Sequence, residues 1–193
     1  MYLLAHAMAG ILLGIVLAAI VGDRRVIALA ALGAVLPDLI DKPLGHIILN
    51  GTVNYGRIYF HGLTVLFLFF IAGLLLYHYR GRLGLLAVTA GMASHQFLDA
   101  MWRHPVEWFW PFLGPLQRYD YQEDYFWDAI LRELAQPSEW LFFLIVGLFA
   151  VLYRQELEAL LARLTGPTGR LMLFAALGLA AIAALAVGGR FCL

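Results

Sequence analysis

The sequence predicts an all-α fold, a polytopic transmembrane helix bundle of about six spans, and three observations carry that expectation. Hydrophobic residues make up 63% of the 193-residue chain and charged residues only 13%. Mean hydropathy is +0.81, well above what soluble domains carry. The apolar residues also fall into six runs, separated by short polar connections and by one longer polar and aromatic segment. No internal repeat or low-complexity linker divides the chain, so residues 1–193 read as a single membrane-embedded helical domain.

A helix needs roughly 20 apolar residues to cross a hydrocarbon core of about 30 Å. The first run, residues 3–21, is closed by "GDRR"; it carries His6 and lacks a basic leader, and so reads as a retained span rather than a cleaved signal peptide. The second, residues 26–40, is short and ends in "LPDLID". The third covers 60–79 and the fourth 83–101, which ends in "SHQFLDAM". Residues 102–139 then hold most of the acidic groups, together with the aromatic run "EWFWPF". That run suits an interfacial belt, and an acyl-chain groove is its second reading. The fifth run, residues 140–153, and the sixth, residues 171–187, complete the set. Gly178 and its alanine neighbours suit close helix packing in the sixth.

Orientation follows from arginine and lysine in short loops. With the N-terminus outside, the inner connections hold Arg24, Arg25, Arg80, Arg82, Arg154, Arg163 and Arg170. The outer segments carry nearly as many basic residues, but these are spread out and offset by acids such as Glu107, Asp120 and Asp128. The expected location is therefore a prokaryotic inner membrane with the N-terminus facing out.

Composition also excludes partners. Thirteen basic and 13 acidic residues leave no net charge and no basic face for nucleic acid. The single cysteine, Cys192, makes neither an internal disulfide nor a CxxC metal site. Nothing in the sequence fixes the oligomeric state.

The candidate chemistry lies at one membrane face. Alternating spans place the start of the first and third runs on the same side as the ends of the second and fourth. His6, Asp38, Asp41, His61, His95 and Asp99 all fall there, whichever face is cytoplasmic. His95 and Asp99 are four apart, and Asp38 and Asp41 three apart, so each pair can project from one side of its helix. Imidazole with carboxylate suits zinc, manganese or ferrous iron better than calcium or copper(I), and zinc is the first choice. Six ligands exceed what one catalytic zinc takes, so two ions sharing a bridging carboxylate are also open.

Taken singly, each residue has a plainer reading. His95 alone would be an interfacial hydrogen-bonding group, and Asp38 after Pro37 a helix-terminus residue. Together they weigh more, because an ionisable group at membrane depth costs about 2.5–3.5 kcal/mol on insertion scales and usually marks a functional or paired site. Arg57, four before His61, suits either a bidentate clamp on phosphate or a headgroup anchor. His46 and His104 read as interfacial side chains, Glu123 and Asp124 as part of a solvated loop, and His78 as lying at the opposite face.

At these residues the chain resembles a known family, the YdjM-like membrane-bound proteins predicted to be metal-dependent hydrolases and distantly similar to zinc-dependent phospholipase C. The resemblance rests on His6 with Gly10, on "LPDLID", on "RIYFH", and on "SHQFLD" followed by "WPF", over roughly residues 1–115. It implies a metal site at His6, Asp38, Asp41, His61, His95 and Asp99, with hydrolysis inferred. The chain departs from the family's His-Arg-Gly and Thr-His-Ser elements, having Gly56 before Arg57 and Phe60 and Gly62 around His61.

The expected activity is hydrolysis of a lipid or lipid-linked phosphoester at headgroup level. Asp41 or Asp99 would serve as general base, and Arg57 would stabilise phosphoryl charge. The competing classes are a metal or proton transporter using the same residues, which needs polar groups continuing through the bilayer, and a structural membrane protein whose histidines and aspartates pair with one another.

Overall fold

The computed structural model describes residues 3–121, 125–152 and 155, and every regular element among them is helical. Helix α1, Leu3–Val21, ends at Gly22, whose φ of 77° turns the chain. Helix α2, Arg25–Pro43, follows at once and runs into a π-helical turn, Leu44–Ile48. Helix α3 is Leu63–Arg80 and α4 is Gly84–Leu98. Beyond them come a short 3-10 turn, Met101–Arg103, then α5, Pro105–Trp108, α6, Tyr125–Leu134, and α7, Pro137–Leu152.

Two of these helices, α1 with 19 residues and α3 with 18, are long and apolar enough to cross a membrane. The expected second span is longer than its apolar run, because α2 continues through Pro37 to Pro43. The fifth expected span corresponds to α7, with 16 residues. The sixth expected span and Cys192 lie outside the described residues. Six spans were expected; two helices meet the criterion among the described residues.

Small residues set the packing of α1 and α4 against α2. Ala30 and Ala34 on α2 are fully buried. On α2, Gly33 lies against the Val88 carbonyl of α4, and Gly91 on α4 lies against the Ala30 carbonyl, so a side chain at either would force the helices apart. This is backbone-to-backbone contact of the kind membrane helices use in place of hydrophobic burial.

Large apolar side chains face outward and a group of ionisable ones is buried. Phe67 and Leu68 on α3 are 61% and 60% exposed. The interior holds apolar residues such as Ala30, Ile58 and Met92 and, beside them, His6, Asp38, Asp41, His61, His95, Gln96, Asp99 and Glu107. Hydrocarbon outside and polar groups inside is the arrangement a bilayer favours. The up-and-down order of α1 to α4 brings the start of α1, the end of α2, the loop before α3 and the end of α4 to one end of the bundle. His78 is in the last turn of α3, at the other end.

Candidate metal centre

The loop before α3 is shaped by one carboxylate. The apolar run suggests a helix from residue 60, but α3 begins at Leu63. Asp41, fully buried at the end of α2, accepts hydrogen bonds from the backbone N–H of Ile58 and Phe60, each at 3.1 Å, and of His61 at 3.0 Å. These donors are withdrawn from any helix and the loop is held open. A fourth donor, His61 Nδ1–H at 2.8 Å, completes the set. With its oxygens engaged in this way, Asp41 is not among the groups that converge on the centre.

Four side chains do converge. Asp38, His61, His95 and Asp99 each offer one ligand atom, and these atoms lie within 4.8 Å of one another. His61 Nε2 is 3.0 Å from His95 Nε2, 3.5 Å from Asp38 Oδ1 and 3.6 Å from Asp99 Oδ2. His95 Nε2 is 3.8 Å from Asp38 Oδ1 and 3.6 Å from Asp99 Oδ2. A tetrahedral shell with bonds of about 2.0–2.2 Å has edges of about 3.3–3.6 Å, so these four groups are close enough together to hold one metal ion.

The second nitrogen of each imidazole is fixed. His61 gives Nδ1–H to Asp41, and His95 gives Nδ1–H to the Ala34 carbonyl at 2.6 Å. Both Nε2 atoms are thereby directed inward, as in metal sites whose outer partners set the tautomer. Asp38 Oδ1 is buried and has no hydrogen-bond partner. A buried carboxylate oxygen left in that state is costly unless a cation or proton meets it.

Without a cation, a proton takes part of that role. His61 lies in the loop before α3. Its burial works against a charged ring, but the carboxylates of Asp38, Asp41 and Asp99 around it outweigh burial and push it up to about 10. Its Nε2–H then faces the lone pair of His95 Nε2.

The remaining expected residues surround this centre. His6 is outside the group of four; its Nε2 lies 3.0 Å from Asp99 Oδ1, and its ring packs on His95 with centroids 4.0 Å apart. Arg57 Nε donates to Asp99 Oδ2 at 3.2 Å, and Nη1 donates to His104 Nε2 at 3.1 Å. His104 is shifted below its ordinary range, by burial first and then by the Arg57 charge. His46 bonds Asn54 Oδ1 at 3.1 Å instead. Glu123 and Asp124 lie outside the described residues.

Several supporting residues were not singled out in the sequence. Gln96 donates to the Phe60 and Gly62 carbonyls, each at 3.3 Å, and accepts from Trp108 Nε1 at 3.0 Å, bracing the loop on both sides of His61. Buried Glu107 accepts the Tyr119 hydroxyl at 2.9 Å, and the Tyr119 ring stacks on Tyr55 at 4.0 Å. Lys42 Nζ lies 2.8 Å from Asp38 Oδ2. The four-residue spacing of Asp38 and Lys42 was a legible signal; a glutamine between two motif residues was not.

The family model described as "YdjM inner membrane protein" matches residues 1–189. No curated protein and no solved structure matches the chain.

Proposed function

The chain belongs to the YdjM inner membrane protein family, and on that premise we propose that it is a metal-dependent hydrolase of a lipid-linked phosphoester at the membrane surface. The observation that carries this reading is the convergence of two oriented imidazoles and two carboxylates, one of them with an unpartnered buried oxygen. Asp38, His61, His95 and Asp99 would hold one divalent cation, with zinc the best match to a mixed nitrogen and oxygen set. A second ion, if bound, would draw on His6 and Asp99. Such a cation supplies Lewis acidity and lowers the pKa of a coordinated water toward about 7.

The chain's own groups have separable roles. With a single ion bound, Asp41 would orient His61 and shape the loop, which leaves Asp99 Oδ1 for proton transfer, with His6 3.0 Å away to pass the proton on. Arg57 is placed to receive a phosphoryl oxygen. The concentration of arginines in the short connections at the other end supports a site at the outer face.

Transport is the weaker reading. Apart from Thr89, which donates to the Leu85 carbonyl at 2.8 Å, the buried polar side chains among the described residues lie at one end of the bundle. Transit needs such groups to continue across the membrane. The test is release of phosphorylated headgroup from mixed-lipid vesicles, with and without chelator, alongside metal flux into sealed vesicles. Chelator-sensitive release without flux is expected; flux without release would overturn the hydrolase reading.

A further inference from the structure

The metal-facing atoms are almost wholly enclosed: the side chains of Asp38 and Asp99 are 1% exposed, and those of His61 and His95 are fully buried. Two cations border them and remain in contact with the surroundings. Lys42 is 26% exposed along its side chain and pairs with Asp38 at 2.8 Å, while Arg57 is 20% exposed and pairs with Asp99 at 3.2 Å. Each therefore holds one of the two carboxylates of the centre.

The Lys42 stem also packs against the backbone beside Arg57. A Cβ on Gly56, the residue before Arg57, would stand 3.1 Å from Lys42 Cγ and 3.0 Å from His46 Nε2. The lysine stem thus lies along the backbone that presents the arginine, and Gly56 permits that approach. Arg57 is further steered by its contact with His104.

Charge counting shows what this arrangement favours. Asp38, Asp41 and Asp99 contribute three negative charges, and Lys42 and Arg57 two positive ones, so these side chains carry one net negative charge. A divalent cation among them would leave a net single positive charge. Lys42 and Arg57 are already at its edge.

We propose that Lys42 and Arg57 form a two-point anion clamp that makes the site select a phosphate group over a neutral ester or amide, with Lys42 as the specificity-determining residue. This deepens the hydrolase reading and rests on it for the substrate's identity, while the clamp is measurable by itself. Lys42 supplies a point charge and Arg57 a planar fork, a pairing suited to tetrahedral oxyanions.

The test is calorimetric titration of the full-length, zinc-treated protein in detergent with inorganic phosphate, with metal content measured on the same samples. Wild type is expected to bind phosphate. Losing one charge-assisted contact should weaken binding by about tenfold or more in Lys42→Gln and in Arg57→Gln, while Lys42→Arg stays close to wild type. Neutral trimethyl phosphate should fail to compete in the wild-type protein, a result that needs no variant to fold. Equal affinity of wild type and Lys42→Gln, absence of phosphate binding in wild type, or effective competition by trimethyl phosphate would each overturn the clamp. Lys42-dependent phosphate binding in a protein that takes up no zinc would uphold the clamp and refute the hydrolase. Chelator-sensitive hydrolysis with an unchanged KM in Lys42→Gln would do the reverse.

Discussion

Asp41 holds His61 twice, through the ring Nδ1 at 2.8 Å and through the backbone N–H at 3.0 Å, so one carboxylate fixes both where this histidine is and which way its ring faces. Its other acceptor positions take the Ile58 and Phe60 amides, which makes the loop and the imidazole one unit.

Substitution at Asp41 should therefore weaken the metal site without removing any of the four converging ligands. Asp41→Asn keeps the shape but exchanges one acceptor oxygen for a donor facing N–H groups. A fall in zinc affinity of about 10–100-fold is expected, the usual range for an outer partner of a ligating histidine. Competition with a fluorescent zinc chelator measures it; unchanged affinity would contradict the orienting role.

Removal of a converging group should have a larger effect. His95→Ala or Asp38→Asn leaves three ligands of four, and metal-to-protein stoichiometry after dialysis should fall well below that of wild type. His78→Ala, at the far end of α3, serves as the control and should retain full content. Mass spectrometry of metal content reads both.

Metal uptake should be pH-dependent, with a definite sign. In the metal-free protein His61 is pushed up to about 10, so its ring is protonated throughout the neutral range. A folded-state pKa raised above the ordinary 6.5 stabilises the metal-free fold fully below 6.5, and that contribution is lost as pH rises through about 10. A cation at Nε2 must displace this proton, so affinity should rise with pH, by about tenfold per unit for one proton released. Zinc titrations at pH 6.5 and 8.5 test this; affinity that is flat or falls with pH would show that the ring does not exchange a proton for metal.

Helix contact should govern the site from a distance. Gly91→Ala drives a methyl group into the Ala30 carbonyl and must separate α4 from α2, which carry His95 and Asp38. Destabilisation of about 1–3 kcal/mol or more is expected for overpacking, together with weaker metal binding. Thermal unfolding in detergent reads the first effect and chelator competition the second. A wild-type unfolding midpoint and zinc affinity would show that the interface yields without cost.

Which of the site's residues cluster was legible because the alternation of apolar runs is a topological constraint. His6, Asp38, His61, His95 and Asp99 gather at one end, as the order of apolar runs requires. The division of labour among them was not legible. Asp38 and Asp41 look equivalent by spacing, yet one oxygen of Asp38 points into the centre without a partner while Asp41 turns toward the loop amides. That difference depends on where residues 58–61 run, which no local pattern records. The start of α3 was misplaced for the same reason, since a long-range carboxylate took the amides that a helix would have used. Gln96 escaped notice because its contacts, to Phe60, Gly62 and Trp108, are tertiary throughout.

Anomalous diffraction at the zinc edge, from crystals of the zinc-treated protein, addresses the metal centre most directly. A peak is expected among Asp38, His61, His95 and Asp99, with ligand distances of about 2.0–2.2 Å and the imidazoles bound through Nε2. An empty centre at full zinc, or a peak coordinated by other side chains, would contradict it.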